Sequence, residues 1–256
     1  MILALVNNKG GVGKTTTAVN LSAGIAAKGR RVLLVDLDSQ GSASLSLGVG
    51  RGERSPSCAD VLLNGMPAAE AVHGTPVEGV ELLTGAMPLA NADLALADVR
   101  GRERRLAEAL APVRDEYPFI LVDCPPSLSL LPINALVAAD AFIVPVTPQY
   151  LALEGLVNLM DAVERVRQGM GACAELLGLL LTVVDYRTRA TTEIAEIIRG
   201  HYGDKVFKTE IRINIRLAEA PSFGQTIFAY DAASTGADAY RRLVDEVLQR
   251  CKEMES

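Results

Sequence analysis

The segment Lys9-Gly10-Gly11-Val12-Gly13-Lys14-Thr15-Thr16 lies between a short apolar run and a pattern typical of a helix. Its glycines let consecutive backbone N–H groups turn inward without a Cβ in the way, which forms a concave anion site. The helix that follows adds the positive end of its dipole. Lys14 can reach the β- and γ-phosphates of a nucleotide, and the Thr15 hydroxyl can ligate Mg²⁺. The segment therefore predicts a site for ATP and Mg²⁺, formed by Gly10, Gly11, Val12, Gly13, Lys14, Thr15 and Thr16.

Outward from this segment, short apolar runs alternate with helical patterns, and the runs are continuously apolar, as in parallel strands covered on both faces. The predicted strands are Ile2–Val6, Arg31–Asp36, Val80–Leu83, Phe119–Asp123, Ala141–Val146, Leu177–Val184 and Lys205–Ile211. The predicted helices are Thr15–Lys28, Cys58–Leu63, Ala92–Leu110, Leu130–Ala138, Leu153–Gln168, Thr191–His201 and Thr235–Cys251. This alternation predicts an α/β fold: a doubly wound, mostly parallel twisted sheet with helices on both faces. Ligands of such folds bind at the carboxyl ends of the strands.

Length and composition favour a single domain. The chain has 256 residues, 49% of them hydrophobic, which suits one well-buried α/β unit. No Pro/Ser-rich or charged linker divides it, and the most loop-like stretch, Gly48–Pro56, reads as a surface loop. We therefore predict one domain over residues 1–256.

Charge and cysteine content restrict the class of protein. A net charge of −6 excludes a protein coated in basic surface, so any nucleic-acid contact needs a local patch. The four cysteines are far apart and form no CxxC pair, and no secretory signal is present, so we expect reduced thiols in the cytoplasm. The longest later apolar run, Leu176–Val184, is far below the roughly 18–20 residues of a membrane-spanning helix.

Two of the predicted strands end in carboxylates. The second runs into Val35-Asp36-Leu37-Asp38-Ser39-Gln40-Gly41, and the fourth ends at Asp123. In a strand Asp36 and Asp38 point the same way, towards the site at the strand's end. Four apolar residues followed by Asp123 form the Walker B arrangement, in which a buried strand carries a carboxylate to the groups that surround the metal. A solvated acidic turn is the alternative for Asp36 and Asp38.

The glycine segment departs from the general pattern G-x-x-x-x-G-K-[ST], because Asn8 stands at the first glycine and Lys9 lies inside the loop. This variant resembles the deviant Walker A motif of the ParA/MinD family. The resemblance implies a nucleotide-sandwich dimer in which Lys9 reaches the partner's ATP and acts like an arginine finger. A solvated loop lysine is the alternative.

The same resemblance implies roles for the acidic residues. Asp38 orients the attacking water, while Asp36, together with Thr15 and Asp123, supports the metal environment. The catalytic residues are then Lys9, Lys14 and Asp38. Cys124-Pro125-Pro126-Ser127 resembles the loop that responds to the γ-phosphate, and Cys124 reads as a small buried residue.

Further landmarks, within a similarity from Ile2 to about Leu248, resemble the ParA/Soj branch of partition ATPases. They are Asp38-Ser39-Gln40-Gly41-Ser42-Ala43, Asp123-Cys124-Pro125-Pro126-Ser127, Ala152-Leu153-Glu154-Gly155-Leu156 and Leu217-Ala218-Glu219-Ala220-Pro221-Ser222-Phe223-Gly224. This resemblance implies an ATPase that is weak alone, is stimulated by a ParB-type activator and forms a homodimer in its ATP state. It also implies non-specific DNA binding, nucleoid association in the cytoplasm, and partition of a chromosome or plasmid.

One stretch carries the local positive charge that DNA binding needs. Between Tyr186 and Arg216 there are seven Lys or Arg residues against four acids, a net of 7 − 4 = +3. By resemblance, Arg187 and Arg216 occupy the family's DNA-contact positions, with contacts made to phosphates. Ordinary solvated arginines are the alternative.

The residues just before Leu217 depart from the family's usual P-R-N-[IV]-R. Here they read Arg212-Ile213-Asn214-Ile215-Arg216, which keeps Asn214 as a nucleotide-binding candidate but leaves the other adenine contacts open. The departure also leaves open a ParA-like ATPase that positions another cargo.

Two other readings have less support. A MinD-like membrane-associated ATPase needs a basic amphipathic tail, whereas the segment Tyr240–Ser256 carries four acids beside four bases, so no stable membrane association is expected. An electron-transfer ATPase like the nitrogenase iron protein needs paired cysteines, and none of the four has that context.

Overall fold

The structure, a computed structural model, describes residues 1–171 and 173–255. Its strands are β1 (Ile2–Leu5), β2 (Val32–Asp36), β3 (Val72–Gly74), β4 (Val80–Leu83), β5 (Phe119–Asp123), β6 (Ala141–Val146), β7 (Glu175–Val184) and β8 (Ile211–Arg212). They form one sheet in the order β3-β4-β2-β5-β1-β6-β7-β8. Every neighbouring pair is parallel except β3 with β4. The predicted doubly wound, mostly parallel sheet is confirmed.

The helices connect these strands. They are α1 (Lys14–Ala26), α2 (Ser42–Ser46), α3 (Cys58–Asn64), α4 (Ala92–Ala95), α5 (Arg105–Leu110), α6 (Leu130–Ala138), α7 (Tyr150–Met170), α8 (Arg189–Tyr202), α9 (Ile215–Glu219), α10 (Ile227–Tyr230) and α11 (Thr235–Met254). Side-chain caps fix several starts: Thr188 accepts from the Thr191 N–H before α8, and Ser234 accepts from the Ala237 N–H before α11.

The apolar core lies in two layers, one on each face of the sheet. Alternate residues of β1 show this directly, because Leu3 and Leu5 pack with α1 and α11 while Ile2 and Ala4 pack with the helices of the other face. Both sets are buried, which explains why the strand reads as continuously apolar.

The carboxyl ends of the central strands meet at one edge. Asp36 at the end of β2 is in register with Asp123 at the end of β5, and Asp123 is in register with Leu5 at the end of β1. The loop after β1 leads directly into α1. This edge therefore gathers the glycine segment and both acidic strand ends.

The predicted helix Ala92–Leu110 is wrong as one element. The helix α4 stops at Ala95, a 3-10 turn covers Arg102–Arg104, and α5 begins at Arg105. Gly101 has φ of 73°, a left-handed conformation that ends helical geometry.

The predicted strand Lys205–Ile211 is also largely wrong. Only β8 pairs as a strand there, with a single isolated bridge between Leu179 and Val206. The backbone N–H groups of Lys208 and Thr209 donate to the Glu246 carboxylate of α11, at 2.8 and 3.0 Å, instead of to a neighbouring strand. A contact from a distant helix therefore replaces the sheet ladder.

The stretch Gly48–Pro56, predicted as a surface loop, is exposed only in part. Residues Arg51–Glu53 form an exposed 3-10 turn, but the Arg54 that follows is buried. The elements β3, α2, α9 and α10 are absent from the predicted set; they are short or lack a clear apolar period. Within residues 1–171 and 173–255 no helix combines the length and apolar character needed to cross a membrane.

Candidate functional site

The glycine segment wraps around the buried ammonium of Lys14. Gly11 and Gly13 have φ of 72° and 79°, which a side chain at either position would strain. Lys14 is the first residue of α1 and is only 6% exposed, and its Nζ donates to the Lys9 carbonyl at 2.8 Å. Burial lowers the pKa of Lys14, and the nearby Asp123 carboxylate opposes that shift. The loop thus presents a cation at the positive end of a helix.

A cavity of about 550 Å³ opens over this loop. Its volume falls within the usual range of small-molecule sites. The cavity brings together eight of the residues predicted for the site: Gly10, Gly11, Gly13, Lys14, Thr15, Thr16, Asp38 and Asn214. Apolar side chains, including Leu217 and Pro221, line the end near Asn214. The cavity therefore combines an end formed by the glycine loop and Lys14 with a more apolar end.

Behind the loop lies the buried carboxylate of Asp123. It is 0% exposed, and neither carboxylate oxygen has a hydrogen-bond partner among the residues that the structure describes. Burial, and then the neighbouring Asp36, raise the pKa of Asp123 well above its usual range; the nearby Thr15 hydroxyl and Lys14 act in the opposite sense. A buried carboxylate left without donors is a favourable ligand environment for a cation, so Asp123 and Thr15 fit a divalent metal.

Across the described part of the chain, no cluster of three or more His, Cys, Asp or Glu side chains could hold a metal by itself. Mg²⁺ usually keeps several waters and binds through one or two protein groups together with substrate phosphates.

Asp36 differs from Asp123, although both are buried at strand ends. One oxygen of Asp36 accepts from the backbone N–H and the hydroxyl of Ser44, both at 2.8 Å, and the other accepts from the Asp38 N–H at 3.1 Å. Burial raises the pKa of Asp36 to about 6, against the lowering effect of the Ser44 hydrogen bonds. The carboxylate, predicted for the metal environment, holds together the loop that leads into α2.

Two residues that the sequence interpretation missed shape this loop. The Ser44 hydroxyl also accepts from the Gly85 N–H at 3.0 Å. A Cβ at Gly85 would lie 2.7 Å from Cγ of Asp36 and would clash with the Asp38 carbonyl. A glycine just after a predicted strand end is a weak signal, since its importance depends on a loop from elsewhere in the chain.

Asp38 itself is half-buried at the edge of the main cavity. Its Oδ1 accepts from the Gln40 N–H at 2.9 Å, and its carbonyl accepts from the Gly41 N–H at 2.9 Å. The Asp38 carboxylate is thus held at the cavity by a tight turn.

Lys9, unlike Lys14, turns away from the main cavity. Its Nζ donates to the Leu151 carbonyl in the first turn of α7, and a Cβ at Gly155 would lie 2.8 Å from its Cε. Lys9 lines a second cavity of about 250 Å³, together with Val12 and Ala152. The two lysines of the loop therefore face different spaces.

Asn214 caps a helix at the apolar end of the main cavity. Its Oδ1 accepts from the Leu217 N–H at 3.1 Å at the start of α9, and its Nδ2 donates to the Thr235 hydroxyl at 2.9 Å. It lines the main cavity, and both ends of its amide already have partners within the chain.

Arg187 and Arg216, predicted to contact DNA, line one surface cavity of about 710 Å³. Their side chains are 83% and 54% exposed. Arg187 donates to both oxygens of Asp185, at 2.7 and 2.6 Å, and this lowers the pKa of Asp185 to about 2. Arg216 pairs with Glu219 at 3.0 Å and Asp231 at 3.5 Å. The structure therefore places both arginines on one surface, each beside carboxylates.

The glycine loop between β1 and α1, its buried lysine, and a bare carboxylate at the end of a neighbouring strand define a P-loop nucleotide-binding protein. A family model described as AAA domain matches residues 1–173. The chain is 50% identical to the chromosome-partitioning ATPase Soj of Thermus thermophilus over 252 residues, which cover 98% of this chain and 96% of that protein. It is 42% identical to the chromosome partitioning protein ParA of Caulobacter vibrioides over 251 residues, 97% of this chain and 94% of that one.

Among solved structures, the chain resembles the cobyrinic acid a,c-diamide synthase of Mycobacterium smegmatis with bound ADP and magnesium. The TM-score is 0.85 at 35% identity, and the match covers 98% of this chain and 95% of the other. The chain belongs to the ParA/Soj family of chromosome-partitioning ATPases. The resemblance inferred from the sequence motifs is confirmed.

Proposed function

We propose that this chain is an ATP-driven switch: with Mg²⁺-ATP it dimerises, the dimer binds DNA without sequence preference, and hydrolysis reverses both. The observation that carries this proposal is that Lys9 and Lys14, five residues apart on one loop, face different cavities. Lys14 serves the nucleotide of its own chain, whereas Lys9 is directed away from that site. A loop cation that does not face its own nucleotide can serve the nucleotide of a second copy, once its Nζ leaves the Leu151 carbonyl.

ATP and Mg²⁺ fit the main cavity. The M. smegmatis neighbour, which is 35% identical to this chain, holds ADP and magnesium, and this supports the assignment. The backbone of Gly10–Thr16 and the Lys14 ammonium would hold the phosphates, Thr15 and Asp123 would hold the metal, and the end near Asn214 would receive the base. When bound, Mg²⁺ neutralises phosphate charge and polarises the bond that breaks.

Three side chains then carry hydrolysis. Asp38, held at the cavity edge by the Gln40 N–H, orients the attacking water. Lys14 stabilises the negative charge that develops on the transferred phosphoryl group, and Lys9 from the second copy adds to this. The Asp36 carboxylate supports the reaction by holding the loop that carries Asp38.

Dimerisation makes DNA binding strong enough to matter. One chain offers a few phosphate contacts, and non-specific binding of that kind is weak, on the order of 10⁻⁴ M at cellular salt. Two linked surfaces engage DNA with an avidity higher by roughly 10²–10⁴, since the second contact becomes intramolecular. Gating of dimerisation by ATP is therefore enough to gate DNA binding.

The relatives' names indicate the process that the switch serves. Soj of T. thermophilus and ParA of C. vibrioides are both named for chromosome partition. We propose the same process, or plasmid partition, for this chain, with a ParB-type activator and with the protein located in the cytoplasm on the nucleoid. Another cargo moved by the same cycle is the alternative.

A DNA-retention assay tests the gating. Wild-type protein is passed over immobilised random-sequence DNA with Mg²⁺-ATP, with Mg²⁺-ADP and without nucleotide. We expect retention only with ATP, decreasing steeply with salt because the contacts are to phosphates. Arg187→Glu or Arg216→Glu should lower retention roughly tenfold or more, since each replaces a favourable phosphate contact with repulsion.

Arg114→Glu is the matched control. Arg114 is 48% exposed and ion-paired with Asp140, much as Arg216 is with Glu219. It precedes the amino end of the central strand β5, whereas Arg187 and Arg216 follow the carboxyl ends of β7 and β8. This variant should bind DNA like wild type. Equal retention of the wild type with ADP, with ATP and without nucleotide would refute the gating.

A further inference from the structure

Arg54 is a buried arginine that no carboxylate of the described residues pairs with. It lies between α2 and α3, is 7% exposed, and takes part in none of the ion pairs found in residues 1–171 and 173–255. Its guanidinium donates instead to two backbone carbonyls: Nη1 to Gln40 at 3.0 Å and Nε to Val49 at 3.3 Å. Burial of a charge on neutral acceptors alone is costly, so stability by itself gives little reason for an arginine here.

The turn that carries Asp38 is shaped to receive this guanidinium. Gly41 has φ of 63°, and a Cβ at this position would clash with Nη1 of Arg54 and lie 2.7 Å from the Gly85 carbonyl. On the other side, a Cβ at Gly85 would clash with the Asp38 carbonyl. The turn Asp38–Gly41 is therefore enclosed between Arg54 and Gly85, with glycine at both points of close approach.

The contact reaches Asp38 through one residue. Gln40 accepts from Arg54 through its carbonyl and donates to Oδ1 of Asp38 through its N–H. The backbone of Arg54 is itself fixed, because its carbonyl accepts from the Thr84 hydroxyl at 2.8 Å just after β4. A chain of hydrogen bonds thus runs from the end of β4, through Arg54 and Gln40, to the carboxylate at the cavity.

We propose that Arg54 is a positioning residue for ATP hydrolysis, which fixes the Asp38 carboxylate through the backbone of Gln40. This inference rests on the proposed role of Asp38 in orienting water. An arginine suits the task because its planar fork presents two donors at a fixed angle and so bridges the carbonyls of Gln40 and Val49. Small displacements of a catalytic group lower rates strongly, up to about 100-fold for about 1 Å.

The test measures the rate constant of hydrolysis at saturating Mg²⁺-ATP, and separately the dissociation constant of ATP, for the full chain. Arg54→Met should lower the rate constant about 10- to 100-fold while ATP affinity stays within about twofold of wild type, since the glycine loop is untouched. Arg54→Lys keeps the charge but has a single donor nitrogen in place of Nε and Nη1, so we expect an intermediate rate. Arg51→Met, three residues earlier and exposed, is the control and should hydrolyse like wild type.

A double-mutant cycle separates positioning from general loosening of the fold. In an Asp38→Ala background, Arg54→Met should cause no further loss, because the group through which it acts is gone. An equal further loss in that background would overturn the inference, as would a wild-type rate for Arg54→Met. Asp38→Ala with a wild-type rate would instead refute the role of Asp38, and this inference with it. If Arg54→Met does not fold, Arg54→Lys decides the question in the same assays.

Discussion

At the scale of single residues, Asp36 and Asp123 lie side by side in register at the ends of β2 and β5, but their carboxylates have different hydrogen-bonding surroundings. Asp36 accepts three hydrogen bonds, two from Ser44 and one from Asp38, whereas both oxygens of Asp123 lack a partner within the described structure. The motif predicted both carboxylates. It did not predict that only Asp36 would be hydrogen-bonded in the described structure, because Ser44 lies eight residues beyond Asp36 on a loop that folds back. The bare carboxylate is the one expected at the metal.

Asp123→Asn should raise the stability of the ligand-free protein. It should also abolish the further stabilisation that Mg²⁺-ATP gives to wild type. The substitution removes a buried charge whose oxygens accept no hydrogen bond from the described residues, and we expect a gain of about 1–3 kcal/mol. Thermal unfolding with and without Mg²⁺-ATP measures both effects. Asp98→Asn, at an exposed carboxylate, is the control and should change neither the stability nor the response to Mg²⁺-ATP.

The gain from Asp123→Asn should depend on pH. The pKa of Asp123 is raised in the folded state, so its protonated form stabilises the protein at low pH and that contribution is lost as pH rises through the folded pKa. Asp36 behaves in the same way: its pKa is raised to about 6, so its contribution to stability is lost as pH rises from about 4 to about 6. The variant should therefore exceed wild type by more at pH 8 than at pH 5. A larger advantage at pH 5, or a destabilised variant at pH 8, would contradict this account of Asp123.

At the scale of elements, the sequence patterns predicted best the helices and strands whose apolar residues are buried. The helix α6 has the predicted bounds, and β2 and β5 end at the predicted carboxylates, because runs buried on both faces leave a continuous apolar signal. The strand predicted at Lys205–Ile211 was wrong, since Glu246 takes the backbone N–H groups that a neighbouring strand would need. Such a contact is set by the tertiary fold and leaves no local pattern.

Gly85→Ala tests the loop between β2 and α2 as a unit. The added Cβ would clash with the Asp38 carbonyl and press on Asp36, so we expect a loss of about 1–3 kcal/mol in stability. We also expect a fall of roughly tenfold or more in the hydrolysis rate, since Asp38 is displaced. Thermal unfolding and an ATPase assay provide the two readouts.

Gly74→Ala is the control for that substitution. Gly74 lies in β3, the strand next to β4, and a Cβ there meets nothing within 4 Å. It should leave both stability and hydrolysis nearly unchanged. Wild-type hydrolysis by Gly85→Ala would show that the loop tolerates displacement, against the geometry described for Asp38.

At the scale of the whole molecule, β7 connects the main cavity to the surface that carries Arg187 and Arg216. The Thr182 hydroxyl donates to the Val12 carbonyl of the glycine loop at 2.8 Å, and Arg187 follows the end of the same strand by three residues. In a chain with a net charge of −6, Arg187 and Arg216 lie close enough to share one cavity. The sequence predicted the glycine loop and the arginines separately. It could not predict that Lys9 rests on α7, because that contact spans 142 residues.

The most direct test of the central claim is the mass of the protein in solution, measured by sedimentation with Mg²⁺-ATP and with Mg²⁺-ADP. Wild type and Asp38→Ala should sediment as dimers of the 27.2 kDa chain with ATP, and wild type should be monomeric with ADP. Lys9→Ala should stay monomeric with ATP, while Lys28→Ala, at a half-exposed lysine in an ion pair with Asp245, should dimerise like wild type. A Lys9→Ala protein that dimerises with ATP as readily as wild type would contradict the account.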